Sequence, residues 1–493
     1  MRPIVPTLRT VLLGTAALLL PAAAPAQTND SVRGAPSAAN HFIETPQGWE
    51  HPTTPWGEPD IRAVLDMMQA SRLPLERCAD SYSSRRLPTF LFGGGRTEGR
   101  ADCDTAKAWL TEEEYDRRIS EWREQADVSR EALSEGDLGL SLRTGTIDPN
   151  IPQRQTSLIV DPPDGLLPAL TAEGKRRALR MRSSWALPGE NHTYDRVTDF
   201  DSWDRCITRG MPSSMMPYRY NGGLRIMQAP GYVILRLEMI HEARIVPTDG
   251  RAPLPPGIEQ YLGESRGHWE GTTLVVETTG YKAGPPMINL AVLGSPPGNR
   301  FPYSDRMKTT ERILRLNDDW WLYEITTEDP VVLSRPFTVR YPMRNDPAYL
   351  MPEYACHEDN TLIRNYVATN RYERAHPTPI PEEPVAVAPD IADALEGRWV
   401  GRPRIATLDL DVELEFTKTS DGKVVGRLIG TNLGEIGQPL RSVAIEDRAV
   451  TFELPNWQPW TFDGELTEQG TIVGVVSSEQ GGVPVTFRRR PSE

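Results

Sequence analysis

Seven histidines and four cysteines are few for a chain of 493 residues. Dispersed as they are, the histidines make a three-histidine metal centre hard to assemble, and the cysteine spacings fit no zinc motif. No S-x-x-K, H-E-x-x-H, P-loop or dinucleotide fingerprint stands in a credible context, so no cofactor and no metal are expected. A basic footprint is also missing. The net charge is -14, and losing Arg2 and Arg9 with a leader would bring it near -16. Phosphate binding needs the opposite sign, which argues against nucleic acid and anionic lipid as partners; Arg488 to Arg490 is too short a run to reverse that. After the first twenty residues no apolar run is long enough to cross a bilayer, and no internal repeat is seen.

What is present begins with an export signal over residues 1–26. Arg2 and Arg9 form its positive end, Val11 to Leu20 its apolar core, and Ala24-Pro25-Ala26 its cleavage site. Export to a periplasm or secretion is therefore expected, with no membrane insertion. In an oxidising compartment an even cysteine count favours two disulfides. Cys78–Cys103 would staple a local loop, and Cys206–Cys356 would tie the two ends of a central β region. Each would stabilise the fold by roughly 3–5 kcal/mol in the chain-entropy model. The competing reading makes Cys356, beside His357, a nucleophile.

Residues 27–205 read as a helical and irregular N-terminal arm. Asp60 to Met68 and Ala106 to Leu133 look helical, with a capping box at Thr111 to Glu114, and Thr171 caps a further helix. Residues 206–373 turn to strands. Gly231 to Val246 is one or two of them, Thr272 to Thr279 another, and Thr309 to Leu316 and Trp320 to Thr327 flank the turn Asn317-Asp318-Asp319. Residues 374–390 hold five prolines and read as a linker. Residues 391–493 carry seven or eight short strands, the pattern of a small antiparallel barrel. The fold class expected is mainly β (α+β): a central antiparallel, barrel-like sheet with an N-terminal helical arm, then a C-terminal small antiparallel β-barrel.

The central strands carry more ionisable side chains than a plain core needs. Successive strand residues face opposite sides, so Glu277, Glu311 or Glu324 falls beside apolar neighbours, where a charge is costly unless paired. His241 and His357 could serve as a base at strand ends, one of these glutamates as acid or orienting group, and Arg244 as the holder of an oxyanion. Salt bridges and capped strand ends are the simpler account of the same residues. Gly263-Glu264-Ser265-Arg266-Gly267 matches a nucleophile elbow, but its context is reversed, with a helix-like segment before it and a strand after. Trp320, Trp321, Tyr323 and Phe337 either line a cavity or fill a core.

Several blocks resemble a widespread family of exported, functionally uncharacterised bacterial proteins of Acidobacteria and Proteobacteria. They are Gln155 to Gly165, Glu238 to Arg251, Gly263 to Thr279, Thr310 to Leu316 and Tyr354 to Asn360. The resemblance covers roughly residues 55–367 and implies no settled activity. From Leu395 on, Gly397-Arg398-Trp399 is similar to the G-x-W start of lipocalin barrels, which implies that an arginine of the last strand, Arg488, stacks on Trp399. Two functions follow. One is a cofactor-independent exported enzyme (lyase, isomerase or hydrolase) acting on a small natural product or saccharide in the central cavity. The other is a non-catalytic binding protein using the same cavity for a small molecule.

Overall fold

The computed structural model describes residues 41–490, apart from 72, 78–103, 135–152, 183, 185–192, 219–220, 256, 284–300, 377–380, 406–407, 410, 433, 456–459 and 479–480. The export signal and the Cys78–Cys103 pairing lie outside these residues.

Among the described residues, ten strands form the first sheet. In chain order they are β1 (Ala63–Asp66), β2 (Ile159–Asp161), β3 (Gly223–Ala229), β4 (Tyr232–Leu237), β5 (Ala243–Pro247), β6 (Glu264–Glu270), β7 (Thr273–Thr279), β8 (Lys308–Arg315), β9 (Trp320–Glu328) and β10 (Phe337–Asn345). The order across the sheet is β5-β4-β3-β1-β10-β9-β8-β7-β6, with β2 added on β10, and every neighbouring pair is antiparallel. The two edges, β5 and β6, close on one another. A Cβ on Gly267 of β6 would stand 2.9 Å from Val246 Cγ1 and 2.9 Å from Thr248 Cγ2. Glycine at this position therefore lets the edges meet, and the sheet becomes a nearly closed barrel.

Local chemistry sets the hairpins. Asn317 Oδ1 accepts the backbone N–H groups of Asp319 and Trp320, both at 2.9 Å, which folds the β8–β9 turn. Gly271, at φ +61°, supplies the left-handed residue between β6 and β7. Alternation then sorts the side chains. Trp321, Tyr323 and Ile325 of β9 and Phe337, Val339 and Tyr341 of β10 enter the barrel core. Trp320 and Leu322 face outward, against Phe42, Ile43 and Tyr115 of the N-terminal arm.

In that arm, α1 (Glu112–Ser134) has the expected capping box: Thr111 N–H donates to Glu114 at 2.9 Å, and Glu114 N–H to Thr111 Oγ1 at 3.3 Å. Thr171 caps α2 (Ala172–Arg180). The expected helix over Asp60 to Met68 is instead β1 and one 3-10 turn. Pairing on both sides, with β3 and β10, outweighs its weak helical signal. The Cys206–Cys356 disulfide joins the segment before β3 to the segment before α3 (Leu362–Ala375). Cys356 thus has no thiol to act as a nucleophile.

After α4 (Pro389–Leu395), eleven strands follow among the described residues. Nine of them form a second antiparallel sheet: β11 (Gly397–Gly401), β14 (Val412–Lys418), β15 (Val424–Thr431), β16 (Gly434–Pro439), β17 (Arg441–Glu446), β18 (Ala449–Leu454), β19 (Trp460–Leu466), β20 (Thr471–Ser478) and β21 (Gly481–Arg489). The remaining two, β12 (Arg404–Ile405) and β13 (Leu408–Asp409), pair with each other. Phe416, Phe452, Phe462 and Phe487 fill the second core around Trp399. The proline-rich stretch before this barrel is partly structured, since Val385 bridges to Val424.

Candidate functional site

Strand register brings two of the six sequence candidates together. Arg244 of β5 and Glu311 of β8 both point into the first barrel. Arg244 Nη1 donates to Glu311 Oε1 at 2.9 Å, and Nη2 to Oε2 at 2.5 Å. Nη2 also reaches Ser265 Oγ of β6 at 3.0 Å and Thr278 Oγ1 of β7 at 3.2 Å, and Tyr323 Oη donates to Glu311 Oε1 at 2.8 Å. Burial opposes the charge on Arg244, yet the adjoining carboxylate outweighs it and raises the guanidinium pKa. The pair is closed off from water, at 4% and 0% exposure, and Arg244 Nε is buried there with no hydrogen-bond partner.

Around the pair runs a belt of buried tyrosines. Tyr281 Oη lies 2.6 Å from Thr309 Oγ1, and its ring packs edge-on against Tyr303. Tyr341 packs beside Tyr323 and donates to the Met215 carbonyl. Burial pushes the phenols of Tyr281, Tyr303, Tyr323 and Tyr341 upward. Tyr303 Oη is buried with no hydrogen-bond partner. Nearby, Glu242 accepts the Arg209 N–H at 3.2 Å, and burial raises its pKa. The Arg209 guanidinium itself lies between Trp203 and Tyr218, 3.6 and 4.0 Å from their ring centres.

The other four candidates do not join this cluster. His241 is exposed, in a turn where Ile240 and His241 have φ of 56° and 46°, and its Nδ1 lies 3.0 Å from the Tyr354 carbonyl. His357 is also exposed, beside the disulfide. Among the described residues neither imidazole has a carboxylate within hydrogen-bond reach. Glu277 is on the outer face, where Lys308 donates to it at 2.5 Å and holds its pKa below the usual carboxylate range. Glu324 also faces outward, accepting Nε and Nη2 of Arg340 at 2.7 and 2.5 Å. Ser265 is a strand residue bonded to Arg244 and Thr278, which removes the nucleophile elbow.

Arg340 leads to a concavity that sequence reasoning missed. Between the N-terminal arm and the outer wall of β9 and β10 lies a small cleft, part of it open to solvent. Phe42, Trp109 and Leu322 give it apolar walls, while His41, Arg154 and Arg340 supply polar groups. Arg154 stacks on Phe42 at 4.0 Å and donates to the Leu110 carbonyl at 3.1 Å. His41 is 9% exposed, and its Nδ1 is buried with no hydrogen-bond partner. Burial lowers the pKa of this ring, the Ile43 backbone partly offsets that, and the Arg340 charge lowers it further. Residues from sequence positions far apart build this cleft, so no local motif announces it. Among the described residues no group of three or more His, Cys, Asp or Glu is arranged to hold a metal.

No family model matches the chain, and no curated protein does. Several solved structures share partial likeness, and three of them are these. A protein of unknown function from the DUF3598 family of Nostoc punctiforme is 12% identical, over 55% of this chain and 91% of that one, with a TM-score of 0.13. An endo-1,5-alpha-L-arabinanase from Thermotoga petrophila is 11% identical, over 56% and 69%, with a TM-score of 0.15. Transferrin binding protein B from Haemophilus parasuis is 7% identical, over 55% and 54%, with a TM-score of 0.13. At TM-scores this low, none of the three bears on function.

Proposed function

We propose that this chain is an exported protein that binds a small molecule without transforming it, and that it belongs with the uncharacterised exported bacterial proteins it resembles. The carrying observation is the cleft beside β9 and β10. It combines apolar walls with a few convergent polar groups, the usual make-up of a small-ligand site. His41 Nδ1 is a buried polar atom that a ligand in this cleft could satisfy.

Binding is favoured over catalysis by where the proposed catalytic groups stand. A general base and acid must converge on one reacting atom. Here His241 and His357 are exposed and apart from Arg244 and Glu311, which bond to each other and to Ser265, Thr278 and Tyr323. That buried pair reads as the closure of the barrel. The signal at residues 1–26 supports export, and no helix among the described residues is long and apolar enough to cross a membrane.

The test is ligand-observed NMR on the purified protein with a library of small polar and aromatic compounds, followed by mass spectrometry of the same mixtures. Saturable binding that weakens in Trp109→Ala, with the compound recovered unchanged, is expected. A product made by the wild type and absent from His241→Ala and His357→Ala would replace this reading with a catalytic one.

A further inference from the structure

The outer faces of the two barrels carry charges of opposite sign. On the first, Arg225 of β3 and Arg236 of β4 stand directly opposite one another in the strand register. Alternation turns both outward, since Leu224, Ile226, Leu235 and Leu237 beside them fill the core. Like charges placed in this way repel. Neither arginine has a carboxylate within ion-pair reach among the described residues, and Arg225 Nε has no hydrogen-bond partner. Acids are not scarce: the chain has 68 Asp and Glu against 54 Lys and Arg. The next row of the same face is apolar. Met227 pairs with Ile234, and Ile234 with Ile245, which is 62% exposed.

On the second barrel the sign is reversed. Asp463 and Glu465 of β19 point outward and are exposed, with no cation within ion-pair reach among the described residues. They pair directly with Val475 and Val473 of β20, each 41% exposed. Each face therefore sets one charged row beside one apolar row. The rows run across the strands in the first barrel and along a strand in the second. They match when the strands of the two faces cross near a right angle, one of the usual packings of sheet on sheet. Ile245, Val473 and Val475 are all exposed in the single chain, so the two faces do not cover each other there.

We propose that the outer face of β3, β4 and β5 docks a second copy of this chain through that copy's β19–β20 face. Arg225 and Arg236 would meet Asp463 and Glu465 of the second copy, and Met227, Ile234 and Ile245 would cover its Val473 and Val475. The acids relieve the repulsion between the arginines, and exposed apolar area leaves water. Because the two faces differ, the contact runs head to tail. Two copies can exchange it reciprocally, and further copies can extend it.

Sedimentation velocity on the full-length mature protein tests this across protein and salt concentrations. The wild type should associate as its concentration rises, and added salt should weaken the association. Two variants reverse the charges: Arg225→Glu with Arg236→Glu in one chain, and Asp463→Lys with Glu465→Lys in another. Each should weaken self-association by about a hundredfold or more, because like charges then face each other. Mixing the two variants should restore association, since each chain then meets faces of opposite sign. Misfolded chains could not recover in this way. Association that survives both variants, or a mixture that stays monomeric, would overturn the proposal. So would a wild type that sediments as a single chain up to its solubility limit.

Discussion

Arg244 of β5 and Glu311 of β8 meet as a two-pronged ion pair inside a barrel whose outermost strands, β5 and β6, have no backbone pairing with each other among the described residues. The same guanidinium reaches Ser265 on β6 and Thr278 on β7. One side chain from one edge thus ties three strands on the other side of the seam. Taking two charges out of water costs several kcal/mol per ion, and the hydroxyls of Ser265 and Thr278, which accept from the guanidinium, offset part of that. Closing the seam is the structural return.

Removing one partner should therefore cost more than removing both. Glu311→Leu strands a buried guanidinium and should lower stability by about 3–5 kcal/mol. The double replacement Arg244→Met with Glu311→Leu, which leaves no buried charge, should lose less than either single change. Urea unfolding of the three variants measures this. A double variant as unstable as the sum of the singles would show that the pair does not act as a unit.

The seam has a steric side as well. Gly267→Ala would place a methyl group 2.9 Å from both Val246 Cγ1 and Thr248 Cγ2, closer than ordinary van der Waals contact. Overpacking of this kind costs about 1–3 kcal/mol. Gly267→Ala should show this in thermal unfolding, and Val246→Ala in the same chain should restore part of it by making room. No change in the melting temperature would mean that β5 and β6 are looser than the distances imply.

Much of this was legible in the strand pattern. On β8, Glu311 shares parity with Thr309 and Ile313, both buried, so its inward position can be read from alternation. On β9, Glu324 has the parity opposite to Trp321, Tyr323 and Ile325 and falls outside. Glu277 was harder to place, because Val275 on its own face is also buried. The cleft was not legible. His41, Trp109, Arg154 and Arg340 come from four distant stretches, and only the packing of the arm on the outer wall brings them together. Nor could short-range pattern reveal β1, whose few residues become a strand through pairing with β3 and β10.

In the second barrel the arginine expected over Trp399 was off by one residue. Arg489, not Arg488, stands 5.2 Å from the Trp399 ring, because Trp399 pairs directly with Arg489 in the β11–β21 register. Trp399 is fully buried and donates from Nε1 to the Leu395 carbonyl at 2.8 Å. Arg489→Ala should therefore cost about 0.5–1 kcal/mol, the worth of an exposed cation–π contact, while Arg488→Ala should be close to neutral. Equal effects from the two substitutions, in chemical unfolding followed by tryptophan fluorescence, would contradict the register.

The carboxyl of Asp204 gives the fold a pH dependence of definite sign. It is buried and accepts the Ser184 N–H at 2.8 Å and the Ser184 hydroxyl at 2.6 Å, while its own N–H donates to Asp201 Oδ1 at 2.8 Å. Burial, and then the neighbouring charge of Asp201, raise its pKa to about 7. An acid that holds its proton more tightly when folded contributes most at low pH. That contribution shrinks as pH rises above the ordinary aspartate range and is gone once pH passes about 7. Asp204→Asn cannot titrate and accepts one fewer hydrogen bond from Ser184, so it should be the less stable chain near pH 5, with the gap narrowing or reversing near pH 8. Urea unfolding of both chains at the two pH values isolates the effect, since every other titrating group is common to them. A gap of the same size at both would mean that Asp204 ionises as an ordinary surface carboxylate does, despite its burial beside Asp201.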